Sequence, residues 1–278
     1  FGTLFTRALD PDKRHELGAE FTPREHVERL VRPTIEEPVR ERWRAVETSV
    51  FQLREKGTSK ADKEAEKQLR EFHRWLRSLD VLDPACGSGN FLYVALAALK
   101  RIEAEVLRTL EDLTGEQDMI LDEVNPEQFH GIEIEPWARE IAELTLWIGF
   151  HQYWQEHHGH TRPPEPVLKD TGTLECRDAV LVWDDVVEDH ENKTFAGTPK
   201  VTDPETGAPV PKAEQRQAYE EYVNAREAEW PDADFIIGNP PYMGRGRQRE
   251  EFGHGYVDAL QEAYPDVETL YLDQKYGE

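Results

Sequence analysis

The sequence predicts an α/β fold, a three-layer arrangement around a mostly parallel sheet, with a helical extension at its amino end. Three observations lead there. Strand patterns alternate with helix patterns from residue 79 onward. The first of those strands runs through a glycine-containing loop straight into a long amphipathic helix. Residues 24–78 carry only helical periodicity. The 278 residues suffice for one large domain or two small ones with a sizeable core. The expected organisation is a helical region over 1–78 and a sheet-containing core over 79–278.

In order, Val27, Leu30 and Val31, then Trp43, Val46, Val50 and Leu53, recur at helical steps over 24–56. Gly57-Thr58-Ser59 breaks the pattern. A second helix is expected over 60–78, with Leu69, Phe72, Trp75, Leu76 and Leu79 inward, giving a charged helical hairpin. Leu79 to Asp83 reads as a short buried strand, Pro84 to Gly89 as a loop, and 90–112 as a helix carrying Leu92, Leu96, Leu99, Ile102, Val106 and Leu110. Phe129 to Ile134 is a second strand. Pro136 opens a very apolar helix in its first turn, where proline is welcome, and this helix ends near Gly159. Leu174 to Trp183 is a third strand region. Residues 184–231 are polar, with a turn or small hairpin at Thr206-Gly207. Asp234 to Ile237 is a fourth strand, followed by a helix over about 247–263 and a possible strand at Val267 to Leu272.

The net charge of −24 argues against nucleic acid binding as a whole-surface property, because phosphate contacts need Lys and Arg; a local basic patch stays compatible with it. No apolar run approaches the roughly 18 residues of a membrane helix. The first residues lack a basic region followed by an apolar stretch, and the only cysteines, Cys86 and Cys176, are 90 positions apart. A reducing, cytoplasmic setting is expected, without a membrane partner.

The segment Pro84-Ala85-Cys86-Gly87-Ser88-Gly89-Asn90 lies between strand and helix, where open α/β sheets bind ligands. Gly87 and Gly89 permit a tight turn and close approach of a ligand, and Asp83 could pair with an ammonium group. Gly131-Ile132-Glu133-Ile134-Glu135-Pro136 ends the second strand in acids suited to ribose hydroxyls. Glu133 lies 44 residues past Gly89, against about 20 in the dinucleotide pattern, and there is no Gly-x-Gly-x-x-Gly. A nicotinamide dinucleotide site is therefore a poor fit.

Taken together, Leu17 to Pro23, Asp83 to Phe91, Gly131 to Pro136, Cys176-Arg177-Asp178-Ala179 and Asn239-Pro240-Pro241-Tyr242 resemble five motifs of the gamma-class DNA adenine-N6 methyltransferases, in the family's order. The resemblance implies a Rossmann-like class I fold dependent on S-adenosylmethionine. It also implies double-stranded DNA as partner, with further restriction or phage-defence subunits possible. It is strongest toward large restriction-modification enzymes, including fused restriction–methylation enzymes. On this reading the last strands of the sheet and the target-recognition domain lie outside the chain.

The resemblance places Phe21, Thr22 and Pro23 at the methionine end of the cofactor. Asp83, Pro84, Ala85, Gly87, Gly89 and Asn90 surround its amino acid portion. Glu133 holds the ribose and Ile134 lies on the adenine ring, with Asp178 and Ala179 at the adenine edge. Glu135 is expected to cap the next helix.

Asn239, Pro240, Pro241 and Tyr242 are the expected catalytic residues. The N6 lone pair of adenine is delocalised into the ring, so the nitrogen is a poor nucleophile. Two acceptors aimed at its hydrogens favour a tetrahedral, reactive nitrogen: the Asn239 side-chain oxygen and the Pro240 carbonyl. Tyr242 can stack on a flipped-out base, a contact worth roughly 1–3 kcal/mol. No metal is required. A cytosine-C5 enzyme would need a nucleophilic cysteine, and neither Cys86, read as a small packed residue, nor Cys176 suits that role.

Arg245, Arg247 and Arg249 follow as candidates for phosphate contact or, equally, as an exposed basic loop. His151, His157, His158 and His160 read as a solvated helix end rather than a metal site. Competing readings are a protein glutamine-N5 methyltransferase, an RNA adenine methyltransferase and a non-catalytic cofactor-binding subunit.

Overall fold

The computed structural model describes residues 22–115, 123–158, 171–189, 200–202, 209–211, 219–240 and 248–265. Helix α1 (Arg24–Val31) passes through one π turn, Arg32–Glu36, into α2 (Glu37–Glu55). The wider turn falls at Pro33, which has no N–H for the ordinary ladder. Gly57, at φ +60°, ends this run. Thr58 caps α3 (Ser59–Leu76) by accepting the Ala61 N–H at 3.3 Å. The expected hairpin is thus present, with Trp43, Leu69, Phe72 and Leu76 buried between its helices and the rest of the core.

Strand β1 (Val81–Asp83) leads into α4 (Asn90–Thr114), bounded by Gly89 and Gly115, both left-handed. The six apolar positions expected on its inner face are all fully or almost fully buried. After β2 (Phe129–Glu133), α5 (Pro136–His158) begins at the proline, and β3 (Leu174–Cys176) follows. The region expected to form one strand to Trp183 divides there. The chain goes on to short strands β4 (Leu181–Val182), β5 (Asp185–Asp189), β6 (Lys200–Thr202), β7 (Pro209–Pro211), β8 (Tyr219–Val223) and β9 (Arg226–Glu227). It then enters β10 (Phe235–Ile236), α6 (Gln248–Glu251) and α7 (His254–Ala263). Phe252 and Gly253, at φ +82°, interrupt what was expected as one helix over about 247–263.

Two compact units result. The first, from residues 1–179 and 230–241, holds a parallel sheet in the order β10-β1-β2-β3. Val81 pairs with Phe235 on one side and Phe129 on the other, and Gly131 pairs with Leu174. Val81, Leu82 and Asp83 are all buried, as expected of the centre of a covered parallel sheet. The architecture is a mixed α/β fold of Rossmann-like kind. Strand order reverses between β1 and β10, so the loops leaving their carboxyl ends lie side by side.

The second unit, from 180–229 and 242–278, is antiparallel, with pairs β4–β9, β5–β8 and β6–β7. Thr206-Gly207 lies outside the described residues, as does Val267 to Leu272. The strands flanking Thr206-Gly207, β6 and β7, do pair as a hairpin. Trp183, Tyr222 and Tyr256 form an edge-to-face aromatic row. No helix among the described residues is long and apolar enough to cross a membrane.

Candidate cofactor and catalytic site

The expected site residues that the structure describes in the first unit gather at the carboxyl ends of the four parallel strands. After β1, Asp83 is completely buried. Its Oδ1 accepts the Ala85 N–H at 3.1 Å, whereas Oδ2 is buried with no hydrogen-bond partner among the described residues. Burial, together with the negative charge of Glu133, pushes the Asp83 carboxyl up to about 7 against the help of the Ala85 N–H. The loop turns at Gly87 (φ +54°) and Gly89 (φ +80°). A β-carbon on Gly89 would stand 3.0 Å from the Ala142 Cα of α5, so the helix and the loop meet at a glycine.

Glu133, at the end of β2, spans two loops. Its Oε2 accepts the Gly87 N–H at 2.8 Å and its Oε1 accepts the Glu135 N–H at 2.9 Å. The ribose role expected of it is left to the remaining lone pairs of a carboxylate already fixed in place. Ile134 is 60% exposed beside it. Cys176, at the end of β3, is exposed, with Sγ 3.6 Å from the Ile134 carbonyl oxygen. Asp178 and Ala179 follow directly, half-buried, and the Ala179 carbonyl accepts the Trp230 indole N–H at 2.6 Å.

Cys86 is buried against Gly131, where a β-carbon would meet its sulfur at 2.8 Å. Burial, and then the charges of Asp83 and Glu133, push its thiol well above the ordinary range, in keeping with a packed, inert residue. Glu135 differs from the expectation in detail. Its backbone carbonyl takes the N–H groups of Ala138 and Arg139, while its carboxylate accepts the Trp137 indole N–H at 3.2 Å instead of a backbone N–H.

On the other side of β1, Ile237 donates its N–H to the Leu82 carbonyl at 2.9 Å, carrying Gly238 and Asn239 past the cofactor loop. A β-carbon on Gly238 would lie 2.5 Å from Asp83 Oδ1. The exposed Asn239 donates from Nδ2 to Thr22 Oγ1 at 3.2 Å. Pro23 starts α1 by offering its carbonyl to His26 and Val27. Thr22, Asp83 and Asn239 thus converge from 217 residues of sequence, and no local signal announces the Thr22–Asn239 contact. Phe21, Pro241, Tyr242, Arg245 and Arg247 lie outside the described residues.

Arg249, in the second unit, is engaged within it. It pairs with Asp258 at 2.8 Å and lies 3.2 Å from His254 Nδ1. Among the histidines, His151 departs from the solvated helix end expected. Both its ring nitrogens are buried without a hydrogen-bond partner among the described residues, and the ring packs against Trp147 and Phe150. His157 and His158 belong to the last turn of α5, and His160 lies outside the described residues.

The arrangement can receive a ligand whose cationic group would meet the unpartnered Asp83 Oδ2. An amino acid portion bearing an ammonium, as in S-adenosylmethionine, fits that orphaned acceptor. The half-buried Gly87, the fixed Glu133 carboxylate and the exposed Ile134 suit the remainder of such a molecule.

Residues 58–273 match the family described as MmeI, DNA-methyltransferase domain. DNA methyltransferase A of Bacillus subtilis is 25% identical over 255 residues, covering 90% of this chain and 23% of that protein. A putative type II restriction enzyme and methyltransferase of Methanocaldococcus jannaschii is 32% identical over 142 residues, covering 48% of this chain and 12% of that protein. The solved structure of the type IIL restriction-modification enzyme MmeI in complex with DNA superposes with a TM-score of 0.50 at 30% identity, covering 64% of this chain and 22% of that one. The chain therefore spans a quarter or less of the length of these relatives. It belongs to the family of MmeI DNA-methyltransferase domains.

Proposed function

We propose that this chain is the catalytic part of a site-specific methyltransferase that modifies the N6 amino group of a flipped-out adenine in double-stranded DNA, within a restriction-modification or phage-defence system. The observation that carries this reading is the Asn239 side chain. It follows Gly238, which passes beside the buried Asp83, and its Nδ2 donates to Thr22 Oγ1, so that Oδ1 is the acceptor the amide has to offer. S-adenosylmethionine would supply a methyl group on a sulfonium, a good leaving group.

The chain's own residues do the rest. Asp83 holds the ammonium end, Gly87 and Gly89 admit the amino acid portion, Glu133 fixes the loop and faces the ribose, and Ile134 and Asp178 receive the adenine. Asn239 Oδ1 and the Pro240 carbonyl accept the two hydrogens of the target amine, while Pro241 stiffens the turn and Tyr242 stacks on the base. In this reading residues 79–278 are the catalytic core and 1–78 a helical region supplying the Phe21-Thr22-Pro23 element. Arg245 and Arg247 are the candidates for phosphate contact. Arg249 would first have to leave Asp258.

The test is transfer of tritiated methyl from S-adenosylmethionine to mixed DNA, RNA and protein, with Asn239→Ala as control. Label in DNA as N6-methyladenine, lost in the variant, is the expected result. Label in protein glutamine alone would refute the assignment.

A further inference from the structure

We propose that Thr22 is a positioning residue that selects the orientation of the Asn239 amide and so aims its carbonyl oxygen at the amine to be methylated. This rests on the catalytic reading of Asn239 above. A carboxamide has nearly the same shape in its two flipped forms, but the forms exchange a donor for an acceptor. Only the form with Oδ1 turned to the substrate can accept an amino hydrogen. The other form points N–H at N–H. Asn239 is exposed, so packing does not choose between them. In the structure its Nδ2 donates to Thr22 Oγ1 at 3.2 Å, the form that leaves Oδ1 for the substrate; because a hydroxyl can also donate to Oδ1, the choice is set by where the Thr22 hydrogen goes.

Thr22 is suited to the task because its backbone is anchored. The next residue, Pro23, caps α1, and Val27 and Val31 of that helix are buried in the core. The Thr22 hydroxyl can accept from Asn239 and still give its own hydrogen elsewhere. A carboxylate that took this hydrogen would leave Oγ1 only an acceptor toward Asn239 and so exclude the wrong flip.

The experiment compares Thr22→Val, which keeps the shape and removes the hydrogen bond, with Thr22→Ser, which restores it. Three quantities are read: the single-turnover methyl-transfer rate at saturating S-adenosylmethionine, the cofactor Kd by calorimetry, and the side-chain amide resonances of Asn239 in protein labelled with 15N at asparagine. In Thr22→Val the rate should fall roughly ten- to hundredfold. Cofactor affinity should change less, and the Asn239 amide hydrogens should shift and exchange faster. Thr22→Ser should recover both.

A Thr22→Val protein that binds cofactor weakly but regains the full rate at saturation would overturn the proposal and leave Thr22 with the cofactor alone. Unchanged Asn239 resonances would overturn it too, whatever the activity. Transfer to an acceptor other than DNA adenine would sink the proposed substrate while the same split, read on that acceptor, still decides the role of Thr22. If no transfer is seen at all, the resonances decide it.

Discussion

Gly238 and Asp83 share a space that no side chain at position 238 can enter, since a β-carbon there would stand 2.5 Å from Asp83 Oδ1 and 3.5 Å from Pro84 Cδ. The glycine is needed for this approach rather than for an unusual φ. Gly238→Ala should therefore displace either Asp83 or the turn carrying Asn239. The expected cost is about 1–3 kcal/mol of stability, in the range of overpacked cores. Cofactor affinity should fall with it. Chemical denaturation and calorimetry with S-adenosylmethionine check the two together; a variant matching wild type in both would show that the approach is slack.

Asp83 gives a pH dependence with a definite sign. Its carboxyl is raised in the folded chain from 3.8 to about 7, so the folded state holds a proton that the unfolded state has lost. Its contribution to stability is full below pH 4 and declines as the pH rises through about 7, by roughly 4 kcal/mol in all. Asp83→Asn should remove this slope and raise the melting temperature of the cofactor-free protein at pH 8. The same carboxylate must be ionised to meet an ammonium, so cofactor affinity should strengthen from pH 5.5 to about 7 and then level off. It should be poor in Asp83→Asn at every pH. Calorimetry across that range is decisive, and a flat profile with wild-type binding in the variant is the contrary result.

Glu133 holds the cofactor loop before any ligand arrives, through Gly87 at 2.8 Å and Glu135 at 2.9 Å. Hydrogen bonds to a charged acceptor are worth about 1.5–3 kcal/mol each. Glu133→Gln can keep only one carbonyl acceptor and turns an amide group toward the other N–H. Exchange of the Gly87 amide hydrogen should accelerate, and cofactor affinity should drop by roughly ten- to hundredfold. Unchanged protection at Gly87 would mean that the turn holds itself.

What the sequence made legible and what it hid follow from range. Gly57 with Thr58, Gly89 and Pro136 mark boundaries through local backbone chemistry, and each stands at a helix end in the structure. The alternation of strands and helices was enough for a parallel sheet. The division of 174–183 into two short strands was not legible, because isolated pairs such as β4–β9 carry no periodicity of their own. Gly253, at φ +82°, is a helix breaker that a single expected helix over 247–263 ran through. His151 was misread because helical position says nothing about neighbours such as Trp147. Within the candidate site, the motifs marked the residues but not their relations. The Thr22–Asn239, Asp83–Gly238 and Glu133–Gly87 contacts all depend on the strand order β10-β1-β2 and on where α1 lies.

The largest test of stability lies away from the strand ends, in a buried ionic cluster. Lys100 Nζ contacts Glu103 at 2.7 Å and Glu123 at 2.6 Å, and His73 Nε2 lies 2.8 Å from Glu103, which also accepts the Val124 N–H at 2.8 Å. All four side chains are less than a tenth exposed. Burial opposes ionisation of Glu103. The hydrogen bond from His73 and the charge of Lys100 outweigh it and hold the carboxyl below its ordinary value. A depressed folded-state value means that this stabilisation is present above the ordinary carboxylate range and is lost as the pH falls through the folded value. Lys100→Met would leave two buried carboxylates without their cation. A loss of about 3–5 kcal/mol is expected at pH 7. Part of it should be recovered at pH 5 as one carboxyl takes up a proton, or in the triple variant Lys100→Met, Glu103→Gln, Glu123→Gln. Thermal denaturation at the two pH values reads this directly. A single variant as stable as wild type at pH 7 would show that water reaches the cluster and screens its charges.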